Sequence, residues 1–273
     1  MAFMELYSTL ETLLTTSDPS EKISLFRTFY AAYRRGEITR ECTTEPIVFT
    51  HPSYHEHCKV IDPQDVPRRT KLNTPHGQIL LLHAIAHIEY SAIDLALDAV
   101  YRFRGLGEAF DEDWLVVADD EVRHFEMIVS LLEELGSSYG EFPVHDALFE
   151  ASMRTLSLHE RMAVVPRYLE ANGLDATPLI LRKLEPHMGD AMIQKIVAAL
   201  HVILEEEVDH VRKGDVWFEY ACKQEHQELS SYFDIIDKHY PNSFPRKVNV
   251  NCDARQRAGF DKDELAKISL NQC

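Results

Sequence analysis

The chain has 273 residues, of which 45% are hydrophobic, and this is enough for one large domain or for a core domain with appendages. Its net charge of −17 repels phosphate backbones and argues against a nucleic-acid partner. The sequence has no unbroken apolar run of about 18 residues, so no membrane span is expected. Acidic residues near the start, without a basic segment, also predict that there is no signal peptide.

The cysteines indicate a reducing compartment. They are odd in number, scattered and without a C-x-x-C pair, which is typical of free thiols and not of a disulfide framework or a zinc ribbon. We therefore expect a cytoplasmic protein with reduced thiols at Cys42, Cys58, Cys222, Cys252 and Cys273.

Helical signals begin near the N-terminus. Asp18 is suited to cap a helix that has Pro19 at its first position and ends at Gly36. The stretch from Glu45 to Gly77 is rich in proline and has no lasting periodicity. It is predicted to be an irregular segment that wraps the helices.

Two long helices follow. The first opens at Thr74-Pro75, is strongly apolar and stops at Gly105. The second runs from Asp111 to Gly136, with acids in its first turn and glycine at its end.

The remaining chain predicts two more long helices. One covers roughly Asp146 to Ala171, with a bend at Pro166, and is interrupted by "NGLDATP". The other starts near Asp190 and continues through Cys222, a shorter helix precedes Pro241, and the last thirty or so residues are polar and expected to be loose. The pattern predicts an all-α bundle, with an N-terminal segment at 1–77, a four-helix core at 78–222 and a C-terminal helix and tail at 223–273.

Two Glu-x-x-His pairs lie on apolar helix faces. Glu121 and His124 form the first pair, and Glu207 and His210 form the second. Such a short motif also arises by chance, so its position is what matters. Residues three, four and seven apart share a helix face, and around both pairs those positions are almost entirely apolar. A carboxylate in such a place is costly unless it is paired or bound to a metal.

A weak internal repeat adds two single glutamates to the two Glu-x-x-His pairs. Glu89 also lies on an apolar stripe, and "IEYSAID" around it matches "LEANGLD" around Glu170. Glu89 precedes Glu121 by 32 residues, and Glu170 precedes Glu207 by 37. Two single glutamates plus two Glu-x-x-His pairs are the ligand set with which helical bundles bind two iron or manganese ions. Four carboxylates balance two divalent cations, and oxygen and imidazole ligands suit two Fe ions, or Fe and Mn, better than a structural zinc.

Other interpretations of these residues remain open. The acids and histidines could form a metal-free polar network between helices. Arg167, one turn before Glu170, could simply pair with it, and Glu160 also has a largely apolar face and competes to be the ligand of the third helix.

Further histidines and one tyrosine have simpler explanations than metal binding or redox chemistry. His83 and His87 point away from Glu89 around the helix and are expected to pack or to form hydrogen bonds. Tyr90 is expected to be a packing residue, although its place beside Glu89 would also suit redox chemistry. A loop contains three histidines at a spacing that could hold a metal, but nothing nearby completes a site: His51, His55 and His57.

The chain resembles a ferritin-like family of unknown function within the ferritin-like di-iron carboxylate superfamily. The similarity extends from about Asp18 to Tyr240 and rests on "HAIAHIEYSAIDLALDAVYRF", "DWLVVADDEVRHF", "LGSSYGEFPVHDALFEAS", "RMAVVPRYLEANGLDATP" and "EEEVDHV". One departure is Asn172, where the family is expected to have arginine. The resemblance implies a ferritin-like four-helix bundle with additional N- and C-terminal helices. "DEVRH" is also similar to a di-iron hydroxylase motif, which implies that Asp120, and by analogy Glu206, orients a ligand histidine.

Together these observations predict a di-metal carboxylate protein that activates oxygen, with iron as the expected metal. An oxidoreductase or hydroxylase would act on O₂ or peroxide and a small-molecule substrate, with an electron donor that the sequence does not identify. The tRNA-hydroxylase branch of the superfamily has similar motifs, but the acidic charge argues against a tRNA substrate. The alternatives are an iron-handling or storage protein and a metal-free helical scaffold. A monomer or dimer is expected, because the irregular segment and polar tail do not suit a cage.

Overall fold

Helices dominate the structure, a computed structural model that describes residues 4–41, 45–246, 249–270 and 273. Two short strands, β1 (Met4–Glu5) and β2 (Ile38–Thr39), pair in parallel, with Met4 opposite Ile38. The prediction of an all-α class is thus confirmed.

The chain divides into two compact units, Met1–Phe149 and Glu150–Cys273. The division falls inside helix α5 (Ala147–Arg154). The three-part organisation at 1–77, 78–222 and 223–273 stays a prediction.

The first unit is built on four helices that precede α5: α1 (Leu6–Thr15), α2 (Pro19–Arg34), α3 (Pro75–Arg102) and α4 (Glu108–Glu134). The predicted cap of α2 is present, because the Asp18 carboxylate accepts the Glu21 N–H at 2.8 Å. Thr74 caps α3 in the same way, through the Gly77 N–H. Helices α3 and α4 pack along each other, α1 packs on α3, and α2 packs on α4.

The segment from Glu45 to Gly77 is irregular, as predicted. Its regular structure is one 3₁₀ turn, Ser53–His55, and a single bridge from Val60 to Val144. Tyr54 of the turn is buried, so this segment covers part of the helical core.

The second unit corrects the prediction for the third helix. Instead of one helix to Ala171, the chain forms α6 (Leu158–Val164), a π-helical turn (Val165–Glu170) and α7 (Ala171–Leu184). The wider turn contains Pro166, which has no N–H to donate and whose ring would clash with the preceding turn of a regular α-helix. The residues of "NGLDATP" do not interrupt the helix but lie within α7.

Helix α8 (Ala191–Glu225) follows the predicted boundary, with Asp190 as its cap. It packs against α6, the π-helical turn and α7. Its approach to the turn is very close at Gly214, where a Cβ would lie 2.3 Å from the Pro166 Cβ. The predicted short helix before Pro241 is α9 (Ser231–His239).

The C-terminal region is folded, and the expectation of a loose tail is wrong. It forms α10 (Cys252–Arg257) and α11 (Lys262–Ile268), and a capping box joins Asp261 to Glu264. Arg255 and Phe260 are buried. Their burial explains why so polar a segment is ordered.

A disulfide joins Cys252 to Cys273, so the expectation of free thiols is wrong for these two residues. The bond forms because the chain returns past α11 to the start of α10, and a separation of 21 residues does not reveal this return. Cys58 and Cys222 are buried thiols, and Cys42 lies outside the described residues. The cysteines therefore no longer argue for a reducing compartment.

Helix α3 is long and apolar enough, by composition, to cross a membrane. However, 72% of its most apolar window is buried inside the protein. This helix therefore belongs to the core of the protein.

Candidate metal centre

The first unit brings together three predicted ligands. Helix α3 supplies Glu89, and α4 supplies Glu121 and His124, whose spacing of three residues places both on one face of the helix. Glu121 and His124 are fully buried, and Glu89 is 4% exposed. The sequence prediction that these three side chains point inward is confirmed.

The ligand atoms of these three residues form a compact group. The Nδ1 atom of His124 lies 3.2 Å from Oε2 of Glu89 and 3.4 Å from Oε2 of Glu121. One ligand atom from each residue lies within 4.8 Å of those of the other two. This spacing is suitable for a shared metal ion, because metal–oxygen and metal–nitrogen bonds are about 2 Å long.

The electrostatics of the group favour a cation. Burial alone would lower the pKa of His124, but the hydrogen bonds and negative charges of Glu121 and Glu89 raise it to about 11. Two buried carboxylates thus hold a proton on the imidazole. A divalent cation would provide the same compensation with more charge and would displace that proton, since a ligating imidazole is neutral.

The surroundings of the group are tightly packed. Ala86 and Ala118 are fully buried beside the ligands. The Tyr90 ring packs on Phe125 with centroids 5.0 Å apart, and the Lys22 ammonium lies 4.9 Å from the Tyr90 ring centre. Tyr90 is therefore a packing residue, as the simpler interpretation predicted.

The second unit holds the other Glu-x-x-His pair. On α8, His210 is fully buried and its Nδ1 lies 3.6 Å from Oε2 of Glu207, whose side chain is 15% exposed. Glu170 is the last residue of the π-helical turn and is half-buried. The second unit therefore offers one more Glu-x-x-His pair with a buried imidazole, and its Glu207 joins Glu89, Glu121 and His124 among the residues that could hold a metal ion.

The contacts of Glu160 distinguish it from Glu170. Glu160 accepts a hydrogen bond from Lys238 at 2.5 Å, and that lysine side chain is 64% exposed. Glu160 is thus part of an ion pair at the surface. Arg167 binds Asp215 at 2.5 Å and Glu264 at 2.6 Å, so its charge is engaged by acids other than Glu170.

The aspartates of the internal repeat each bind a buried cation. Asp94 accepts hydrogen bonds from Lys22 and from Ser53 (2.5 Å). Asp175 accepts two hydrogen bonds from Arg255, at 2.8 and 3.1 Å. Lys22 and Arg255 are both fully buried.

Sequence reasoning missed these two cations. The match of Asp94 with Asp175 in the repeat was the available signal, since a repeated buried acid requires a repeated partner.

Asp120 and Glu206 were expected to orient the ligand histidines. Asp120 is half-buried and contacts Arg123 on its own helix, and Glu206 is half-buried on α8. Their proposed role stays a prediction. At the departure from the family, Asn172 accepts a hydrogen bond from Arg246, which brings a guanidinium to this position from elsewhere in the chain.

His83 and His87 have structural roles, as predicted. His83 Nε2 accepts the N–H groups of Gly140 and Phe142, at 3.0 and 3.3 Å. His87 Nε2 lies 2.7 Å from the His145 carbonyl and must donate to it, which leaves Nδ1 to accept from the Tyr139 hydroxyl at 3.0 Å. Burial lowers the pKa of each histidine to about 4.

The loop histidines also have contacts with protein groups. The rings of His51 and His55 stack with centroids 4.4 Å apart. His57 lies 3.3 Å from the Tyr139 carbonyl oxygen.

Fold and site together define a helical protein with a buried carboxylate–histidine cluster that is suited to a metal ion. The chain belongs to a family described as a protein of unknown function (DUF455), whose model matches residues 15–266. A protein of Haemophilus influenzae, described as uncharacterized, is 36% identical over 276 residues, which cover 96% of this chain and 92% of that protein. No solved structure shows a significant match.

Proposed function

We propose that this protein is a ferritin-like di-metal carboxylate protein that binds two iron ions, or one iron and one manganese. Its ligands are Glu89, Glu121, His124, Glu170, Glu207 and His210. The main supporting observation is the buried group of Glu89, Glu121 and His124, in which two acids adjoin one imidazole.

The donor set fits these metals. The second unit offers the same residue types at the same spacing, with His210 fully buried beside Glu207. Carboxylate and imidazole ligands without thiolate favour iron or manganese. Four carboxylates also balance the charge of two divalent ions, which removes the cost of burying the acids.

The proposed activity is that of an oxidoreductase or hydroxylase that acts on a small molecule. Two such ions, when bound, supply the capacity to react with O₂ or peroxide. The residues of the chain hold the carboxylates and imidazoles in fixed positions, exclude water through the packed side chains of Ala86 and Ala118, and keep each histidine on one helix face. We propose a monomer or dimer, with an external electron donor.

Metal analysis of purified protein tests the proposal. Protein from cells supplied with iron and manganese should contain about two metal ions per chain by mass spectrometry. His124→Ala and His210→Ala should each lower that content, because each removes an imidazole ligand. His201→Ala is the matched control, since His201 is an exposed histidine on the same helix as His210 and should leave the metal content unchanged.

Two results would overturn this proposal. The first is wild-type protein that contains no metal and whose melting temperature does not change with chelator, which would instead support a metal-free scaffold. The second is a full metal content in both histidine variants. Sizing of the assembly separates an iron-storage cage from a monomer or dimer.

A second pair of variants tests the ligand of the third helix. Glu170→Ala should lose metal, and Glu160→Ala should keep it, because the Glu160 carboxylate is bound to Lys238 at the surface. Loss of metal in Glu160→Ala alone would show that the internal repeat gives the wrong residue.

A further inference from the structure

A groove in the first unit is separate from the proposed metal ligands. It is a cavity of about 690 Å³ between α2 and α4, closed by Ser138 and Tyr139 after α4 and by His57. Sites for small molecules in proteins commonly measure about 300–1,000 Å³. The groove therefore has the capacity for an organic ligand.

The floor of the groove is apolar and its rim is polar. Ile23, Phe125, Val129 and Tyr139 form the floor, and Phe125 and Tyr139 are more than nine-tenths buried. The rim presents hydroxyl groups from both helices and from the closing segment: Ser20, Ser24, Thr28, Ser130 and Ser138. Such a surface is suited to an organic molecule that has an apolar body and a polar end.

The charges of the groove are unequal along its length. Arg27 and Glu126 form an ion pair. The lining runs along α4 from Glu126 to Glu133 and returns along α2 from Arg27 to Asp18. Asp18 therefore lies about 13 Å from the ion pair along α2, and Glu133 lies about 10 Å from it along α4, at a rise of 1.5 Å per residue. One end of the groove is acidic, whereas the other is neutralised.

We propose that this groove binds an organic cation, a primary or secondary amine attached to an apolar body. The ammonium lies at the acidic end between Asp18 and Glu133, and the apolar body lies on Phe125 and Val129.

None of the proposed metal ligands lines the groove, although Phe125 lies one helical turn after Glu121 on α4. Phe125, Val129 and Glu133 line the groove, whereas Glu121 and His124 point into the core. The Phe125 ring contacts Tyr90 with centroids 5.0 Å apart, so the floor of the groove is formed by side chains that also pack around the core. Binding of an amine requires no metal and does not depend on the proposed function.

Three probes of the same shape test the charge preference: phenethylamine, phenethyl alcohol and hydrocinnamate. Their binding to the full-length protein is measured by saturation-transfer NMR and titration calorimetry, with and without chelator. Phenethylamine should bind about tenfold more tightly than the alcohol, and hydrocinnamate should bind more weakly than either, because Asp18 and Glu133 attract an ammonium and repel a carboxylate. Equal affinities for the three probes would overturn the proposal. So would a lack of amine binding at concentrations up to roughly 10 millimolar, which is about the weakest affinity of interest.

Variants test whether the amine binds in this groove. Asp18→Asn removes a charge but keeps a side chain that can cap α2, and Glu133→Gln removes an exposed charge from α4. Each should weaken phenethylamine binding about threefold, and the double variant about tenfold, with no change for the alcohol. Glu45→Gln, in the irregular segment, is the control and should have no effect. Unchanged amine affinity in a folded double variant would show that the groove is not the site.

Discussion

The two units neutralise the aspartate of the internal repeat with different cations. In the first, Glu89 and Asp94 lie on the continuous helix α3, and Asp94 binds Lys22 from the N-terminal helix α2. In the second, Glu170 lies in a π-helical turn, Asp175 lies on α7, and Asp175 binds Arg255 from the C-terminal helix α10. Each unit thus places an aspartate five residues after its glutamate and neutralises it with a buried cation from outside the repeat.

The difference between the cations shows which parts of the repeat are fixed. The acids remain at equivalent positions on their helices, whereas the cations come from opposite ends of the chain. The Arg255–Asp175 pair is fully buried and has two hydrogen bonds, but the Asp94 side chain is 14% exposed and shares Lys22 with Ser53. Removing the cation of the second pair should therefore cost more stability than removing the cation of the first.

Each unit can be followed separately because each contains one tryptophan, Trp114 on α4 and Trp217 on α8. Replacing one of them with phenylalanine leaves the fluorescence of the other to report the unfolding of its own unit. All four predictions below use these two single-tryptophan backgrounds.

Loss of Arg255 should have the largest effect. Arg255→Met leaves Asp175 buried, with Arg246 as its remaining cationic partner among the described residues, and breaking a buried ion pair costs about 3–5 kcal/mol. The measurement is urea unfolding followed by Trp217 fluorescence. Arg257→Met is the control, because Arg257 binds the exposed Glu205 and its loss should have little effect on stability. Equal effects of the two variants would contradict the prediction.

Loss of Lys22 should have a smaller effect. Lys22→Met should destabilise the first unit, followed by Trp114 fluorescence, by about 2–3 kcal/mol, below the range for a fully buried pair. The cost is lower because Asp94 keeps the Ser53 hydroxyl and some contact with water. Replacing both partners in Lys22→Met/Asp94→Leu should recover most of this loss, since no charge then remains buried. A double variant as unstable as the single one would contradict this explanation.

Two glycines of the second unit should respond in opposite directions. Gly214→Ala should cost about 1–3 kcal/mol, because its Cβ would overlap Pro166 and overpacking forces neighbours to move. Gly173→Ala in α7 meets no atom within 4 Å and should add about 0.4–1 kcal/mol by restricting the unfolded chain. Urea midpoints from Trp217 fluorescence give both values. A stabilised Gly214→Ala would show that α8 and the turn are not in close contact.

The last prediction concerns pH and the first unit. His83 takes up a proton near its ordinary pKa of 6.5 when unfolded, but only at about 4 when folded, because burial disfavours the charged ring. The unfolded state therefore binds more protons between these values, and His83 lowers the stability of the first unit as the pH falls from 6.5 towards 4.

Replacing His83 with an uncharged acceptor should remove this contribution. His83→Gln can still accept the Gly140 and Phe142 N–H groups but does not titrate. The loss of stability of the first unit between pH 6.5 and 5.5 should be about 1 kcal/mol smaller in the variant. Urea unfolding at both pH values, followed by Trp114 fluorescence, provides the comparison. Parallel losses in the two proteins would contradict the assignment.

Local signals predicted much of this fold. Asp18, Thr74 and Asp190 cap the helices that they were expected to start, because capping depends on residues only two or three positions apart. The inward faces of Glu89, Glu121, His124 and His210 followed from helical period alone.

Long-range features were not predictable in this way. The disulfide, the burial of Arg255 and the ordering of α10 and α11 depend on where distant segments meet. Helical periodicity could not choose between Glu160 and Glu170 for another reason. The π-helical turn between them changes the angular relation that an ideal α-helix would give.

The π-helical turn also gives the second unit a tolerance to chain length at this point. Each residue of this wider turn rotates the chain by less than the roughly 100° of an α-helix, so the six residues from Val165 to Glu170 rotate it about as far as roughly five α-helical residues would. Deleting Pro166 would let the segment continue as a regular α-helix and leave the later side chains of α7 facing nearly the same way. Asp175 would then keep its bond to Arg255, and relatives that lack one residue here can keep the acid in place, provided that the alignment puts a one-residue gap in the turn.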